Sequence, residues 1–111
     1  MKPTARPGSF EDLDLRVGRI VAVEIAATRK PTYRISVDLG PEIGVKQSCG
    51  AFRNYSPEGL VGRLVIAAVN LGPKQMGPEI SEVLVLGVTN AAGETIYLTP
   101  ASEVPLGVHV Y

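Results

Sequence analysis

Val69–Leu86 reads VNLGPKQMGPEISEVLVL. An apolar strand predicted over Arg63–Val69 runs into this stretch, and a second, more apolar strand, Val83–Val88, leaves it. Between them lie two prolines, two glycines and a single lysine, Lys74. Ordering a loop of that composition costs conformational entropy, so it is expected either to present something or to close a barrel.

Upstream, Arg16–Ala27 is rich in β-branched residues (Val17, Ile20, Val21, Val23, Ile25) and predicts a long strand. Gly18 within it predicts a bulge or sharp bend. Thr32–Leu39 alternates, with Tyr33, Ile35, Val37 and Leu39 on one face and Arg34, Ser36 and Asp38 on the other. Gly40 and Pro41 end it, and Gly44–Phe52 reads as a third strand. Ser56, Pro57 and Glu58 supply an N-cap, a first-turn proline and a first-turn acid, predicting a helix of one or two turns. Downstream, a hairpin over Asn90–Gly93 leads into Thr95–Leu98, and a turn at Pro105–Gly107 precedes a last extended segment, Val108–Tyr111. At the other end, Met1–Gly8 is expected to be a flexible arm. Ser9 and Asp12 fit a capping box, predicting a short helical turn pinned by Phe10.

The order is strand, strand, strand, short helix, strand, strand. It predicts an all-β, five-stranded oligonucleotide/oligosaccharide-binding (OB) barrel with short helical segments and extra terminal strands, formed by residues 9–111. Strands do not alternate with long helices, which argues against a doubly wound fold; an SH3-like barrel also fits the pattern.

The 111 residues suffice for one domain with one modest core. Hydrophobic residues make up 45% of the chain, but no apolar run approaches the roughly 20 residues that span a bilayer. The start carries no apolar segment of a secretory signal, so no membrane insertion and a cytoplasmic location are expected. The one cysteine, Cys49, has no internal disulfide partner, which fits a reducing compartment. Net charge is zero, yet all 11 basic residues lie at or before Lys74, against 7 acids there, and the remaining 4 acids follow it. Such a split suggests one basic face, unless strands of the two halves interleave and neutralise one another.

Catalytic chemistry finds no footing. His109 is the only histidine and has no acid or nucleophile at a recognisable spacing. One Cys and one His exclude a zinc site of the usual ligand set, and Cys49 reads as a small buried hydrophobe. Gly72–Gly77 has the spacing of a phosphate loop, but Pro78 and Glu79 stand where its Lys and Ser/Thr belong. No enzyme, metal or cofactor is expected.

Two binding chemistries remain. Arg29, Lys30, Arg34, Arg53 and Lys74 fall on predicted loops or outward strand positions and could contact phosphates; Lys46 is placed similarly. Stacking platforms are few: Tyr33, Phe52, Tyr55 and Tyr97, with no tryptophan, so phosphate contacts or structured RNA fit better than single-strand stacking. The near-continuous apolar runs Leu64–Val69 and Val83–Leu86 suggest instead that some of these side chains are covered by another chain, either a second copy or a client peptide. Val83, Leu84 and Leu86 are the candidates for such a groove or dimer interface.

FEDLDLRVGRI (Phe10–Ile20), RISVDLG (Arg34–Gly40), YSPEGLVGRLVIAAVNL (Tyr55–Leu71) and SEVLVLG (Ser81–Gly87) together resemble the tRNA-binding domain family, which includes the C-terminal domain of bacterial methionyl-tRNA synthetases. Ser81–Leu86 lacks the Gly-Met pair of the synthetase-like members, and Arg29 and Pro31 match an Arg-x-Pro of the CsaA-type branch. Cys49-Gly50 departs from the Ser-Ala often found there. The resemblance to that branch implies a homodimeric export-related chaperone binding unfolded or precursor polypeptides; the alternative it implies is a tRNA-binding protein acting in trans. In the first, Arg29, Lys30 and Arg34 would form the rim of the apolar groove.

Overall fold

The structure, a computed structural model, describes residues 1–111. Its main sheet is five-stranded and antiparallel, in the order β3-β2-β1-β4-β7, built from β1 (Leu15–Ile25), β2 (Tyr33–Asp38), β3 (Val45–Gly50), β4 (Leu64–Ala68) and β7 (Leu84–Val85). One helical turn, α1 (Pro57–Leu60), separates β3 from β4. Two hairpins stand off the sheet: β5 (Lys74–Met76) with β6 (Glu79–Ser81), and β8 (Gly87–Thr89) with β9 (Thr95–Tyr97).

Strand β1 serves both halves of the sheet. Leu15–Arg19 pair with β4 and Arg19–Ile25 with β2. An extra residue lets a strand bend from one partner to the next, and the register shift falls between Ile20 and Ala22. The bulge expected at Gly18 is therefore three residues downstream. Gly18 has a different use: a Cβ there would lie 2.5 Å from Val37 Cγ1 and 2.8 Å from Leu39 Cδ2, so its bare backbone is what lets β2 side chains fill the barrel at that point.

The alternation of β2 carries into the core. Tyr33, Ile35, Val37 and Leu39 are buried with Ile20, Phe52, Leu60, Val65, Ala67, Val83 and Val85. Burial of these side chains, each worth about 1.5–3 kcal/mol for a full-sized aliphatic or aromatic group, is the main stabilising force. The barrel seam lies between β3 and residues 81–85. Backbone pairing there is partial: Gln47 O accepts from Glu82 N (2.7 Å) and Val83 N (3.2 Å), and side chains complete the rest. Cys49 N donates to Ser81 Oγ (3.1 Å), Gln47 N to Glu82 Oε1 (3.1 Å) and Val85 N to Ser48 Oγ (3.3 Å).

Helix α1 is capped as its sequence predicts, with Ser56 Oγ accepting from Gly59 N at 3.1 Å. The N-terminal capping box does not form. Residues 7–13 make turns closed by backbone bonds such as Leu13 N to Phe10 O (3.1 Å), and Phe10 is half exposed instead of pinning them.

Val83–Val88 is not one strand. Leu84 and Val85 pair with β4, and the chain then leaves the sheet at Gly87, where a Cβ would meet Ile96 O at 2.9 Å, to pair with β9. The C-terminal segment returns to the barrel, Val17 N bonding Val108 O (3.1 Å) and Val110 N bonding Leu15 O (2.9 Å). Its anchor is a pair of glycines in the left-handed region, Gly40 (φ 87°) and Gly107 (φ 86°), packed back to back. A Cβ on either would stand within 2.7 Å of a carbonyl oxygen of the other segment. Neither position tolerates a side chain, for want of space and because φ is positive.

Candidate functional site

Barrels of this kind bind ligands on the outer face of strands 2 and 3 and on the loops flanking it. Here that face consists of three cross-strand rows: Glu24, Arg34 and Cys49; Ala22, Ser36 and Gln47; Arg19, Asp38 and Val45. The β1–β2 connection borders the first row, and the β5–β6 hairpin folds over it.

The glycine- and proline-rich loop of the sequence is thus a structured two-stranded hairpin, with Gly77 and Pro78 at its tip and Met76 opposite Glu79. Glu79 docks it. The carboxylate accepts from Ala27 N (3.1 Å) and takes both of its oxygens to Arg34 Nη1, at 2.9 and 3.1 Å. Arg34 also donates to Glu24 Oε2 (3.0 Å) through Nη2. The Ala27 N–H first, and then Arg34, hold the Glu79 carboxyl below its ordinary range, while the paired carboxylates make Arg34 still harder to deprotonate. Cys49, opposite Arg34 in the register, is buried at 8% exposure, and desolvation pushes its thiol up.

Grooves open on both sides of the hairpin. The first, of about 550 Å³, is lined by Leu71, Pro73, Lys74, Ser81, Val83 and Leu84 among others. Leu71 and Leu84 are 54% and 48% exposed, so its walls present apolar surface to solvent. The second, of about 540 Å³, lies between Arg29 and Lys30 of the β1–β2 connection and Met76, Gly77 and Pro78 of the hairpin tip.

The sequence-predicted residues divide accordingly. Val83 sits at the first groove with its side chain in the core, Leu84 stands on the groove wall, and Leu86 is partly buried where β7 leaves the sheet. Arg29, Lys30 and Lys74 are exposed and outside every ion pair; Arg53 is exposed with its guanidinium 5.0 Å from the Tyr33 ring centroid. Because Tyr33 begins β2 directly after the β1–β2 connection, Arg53 shares an end of the sheet with Arg29 and Lys30. Arg34 differs from these four, being neutralised by two carboxylates. Of the candidate stacking aromatics, Tyr33 and Phe52 are core, while Tyr55 and Tyr97 are half-buried against each other at 5.2 Å.

The charge split is cancelled in space only in part. Arg34 pairs with Glu79, Arg19 with Glu103 and Lys46 with Glu82, each joining a base of the first part of the chain to an acid of the last. Glu79 itself was visible in the sequence only as the residue that spoils a phosphate loop. Its role depends on a contact 45 residues distant in the chain, which no local pattern announces.

Known proteins match over the whole of this framework. The family described as "Putative tRNA binding domain" matches residues 15–109. A methionine–tRNA ligase of Sorangium cellulosum is 38% identical over 112 residues, which is 100% of this chain and 16% of the ligase. The chain thus spans about a sixth of the length of that relative. Among solved structures, the chaperone CsaA from Bacillus anthracis superposes with a TM-score of 0.91 at 37% identity, covering 98% of this chain and 100% of that one. The CsaA chaperone from Picrophilus torridus gives the same TM-score at 36% identity over 97% of this chain and 100% of that one. The strands, the seam and the match from Leu15 to His109 lead to one conclusion: this chain belongs to the tRNA-binding domain family.

Proposed function

We propose that this chain is a CsaA-type chaperone, a non-enzymatic homodimer of the cytoplasm that holds unfolded or precursor polypeptides on the path to export. The observation that carries this reading is the groove of about 550 Å³ beside the hairpin, where Leu71 and Leu84 leave apolar surface in water and Val83 stands at the boundary with the core. Surface of that kind is retained for covering by another chain. The likeness to two CsaA structures over the full length of those chains supports it. On this reading Leu84 meets apolar client side chains beside Val83, Leu86 continues the apolar surface toward the second subunit, and Lys74 on the same groove offers a cation to a client carboxylate.

The test is calorimetric titration with an unfolded apolar polypeptide across a salt series. Apolar binding gives a negative heat-capacity change and little loss of affinity with salt, and Leu84→Ser should weaken it. Affinity that falls steeply with salt and ignores Leu84→Ser would remove the chaperone reading. A monomer by light scattering at micromolar concentration would remove the dimer.

A second reading, tRNA binding in trans, has its own observation. Arg29 and Lys30 line one groove unpaired, and Arg53, also outside every ion pair, sits over Tyr33 at the start of β2. Lys74, also unpaired, lies on the other side of the hairpin and would extend the contact. Binding through these residues follows phosphate electrostatics, with log K falling linearly in log salt.

A further inference from the structure

Glu79 is the one buried acidic residue of the chain. The place it fills is built for an anion: a main-chain N–H of the β1–β2 connection and a guanidinium from β2 converge on its two oxygens at 2.9 to 3.1 Å. Arg29 and Lys30, two and three residues beyond Ala27, bring two unpaired cations to the adjoining groove of about 540 Å³. Yet the carboxylate filling this place does not belong to the sheet. It rides on a hairpin of two three-residue strands that pair only with each other. Gly72, at φ 83° with open space around it, lies at one root of the hairpin, and at the other Glu82 N and Val83 N are held by Gln47 O. Ser81, the last residue of β6, is buried and tied to β3 by Cys49 N donating to its Oγ (3.1 Å), so the hairpin lifts at the cost of that one bond while Val83 and Val85 stay in the core.

We propose that Glu79 is a built-in stand-in for an anionic ligand: Ala27 N–H and Arg34 form a phosphate site for RNA, and β5–β6 is the lid that lifts when a backbone phosphate takes the place of the carboxylate. A phosphodiester carries two unbridged anionic oxygens, as a carboxylate does, and can accept from Ala27 N–H and Arg34 Nη1 in place of Glu79. This rests on the tRNA-binding reading and adds a gate to it. Opening the lid removes one of the two carboxylates on Arg34 and leaves it paired with Glu24 alone, so that Nη1 is free to join Arg29 and Lys30.

Cys49 reports on the lid, because it is the sole cysteine, sits opposite Arg34 in the register and is buried in the closed form. Its rate of maleimide labelling should rise about tenfold in both Glu79→Gln and Arg34→Gln without RNA, the effect of losing one hydrogen bond to a charged group. Arg34→Gln is decisive: Arg34 draws the thiol toward ionisation, so its loss alone would slow labelling. An unchanged or slower rate in Arg34→Gln overturns the lid. With unfractionated tRNA, Glu79→Gln should bind several-fold tighter than the native chain, with a log K–log salt slope steeper by about 0.7–0.9, one phosphate more. The double variant Arg34→Gln/Glu79→Gln should lose that gain. Native binding left unaltered by Glu79→Gln overturns the phosphate site alone; no tRNA binding by the native chain at low salt overturns the tRNA reading and this inference with it. Circular dichroism establishes that each variant is folded at the labelling temperature. Glu79→Asp, which keeps the charge and shortens its reach, replaces any that is not, with faster labelling again expected and an unchanged rate counting against the lid.

Discussion

Gly18→Ala isolates the close approach between the β1 backbone and the Val37 and Leu39 side chains that fill the barrel. The backbone at Gly18 lies outside the left-handed region, so alanine meets no conformational penalty there. The cost is contact. The new Cβ would stand 2.5 Å from Val37 Cγ1, 2.8 Å from Leu39 Cδ2 and 3.0 Å from Asp38 O. Val37 and Leu39 are both at 0% exposure and have nowhere to retreat. Overpacking of this kind costs about 1–3 kcal/mol, and the upper part of that range applies because two fully buried side chains must move. Alanine recovers about 0.4–1 kcal/mol by stiffening the unfolded chain, leaving a net loss of about 2 kcal/mol. Against the roughly 5–15 kcal/mol that holds a domain together, this is substantial. At about 4 °C per kcal/mol for a domain of this size, the melting midpoint should fall by about 8 °C. Thermal melting followed by circular dichroism measures the midpoint and urea unfolding the free-energy loss, with the slope m unchanged if the native state keeps its compactness. Gly72→Ala provides the opposite control, a positive φ of 83° with open space for the methyl group, and should cost about 1 kcal/mol through backbone strain alone. Gly18→Ala within about 0.5 kcal/mol of the native chain, the spread of ordinary surface substitutions, would refute the packing argument.

Ser56→Ala removes the acceptor for Gly59 N at the start of α1 and should cost about 1 kcal/mol in the same urea assay. Glu79 predicts a pH effect. Its folded carboxyl lies below the ordinary value, so its contribution is complete above the unfolded pKa and is lost as pH falls through the folded one. The stability of the native chain relative to Glu79→Gln should therefore shrink on acidification below the ordinary glutamate range, and a difference independent of pH would show that the clasp contributes nothing. For the tRNA reading, Arg29→Gln/Lys30→Gln should flatten the log K–log salt slope by about 1.5, two phosphates at about 0.7–0.9 each, without moving the urea midpoint. A slope that does not move would place RNA elsewhere on the surface.

Much of the barrel is legible along the chain because its signals are local. The alternation of Thr32–Leu39 predicts a strand with one face in the core, and Tyr33, Ile35, Val37 and Leu39 take that face. Ser56 and Pro57 mark a helix start through chemistry confined to one turn. The sequence is blind where an element exists only by virtue of a distant partner. Gly18 reads as a bend, since glycine in a strand usually marks one, yet it is spared a side chain by Val37 and Leu39 across the sheet. The β5–β6 hairpin hides in a Gly- and Pro-rich segment because its three-residue strands carry too few positions for a period to show.

The same division runs through the site. Composition and order along the chain determined the fold class and the supply of cations, since each is a property of residue types and their spacing. Only the tertiary structure decided which cations stand unpaired. Arg34 and Arg29 look alike as basic residues five positions apart, but Glu79, 45 residues from Arg34, closes on the first and leaves the second open. An ion pair is set by separation in space, and that separation exists only once the hairpin has folded over the sheet.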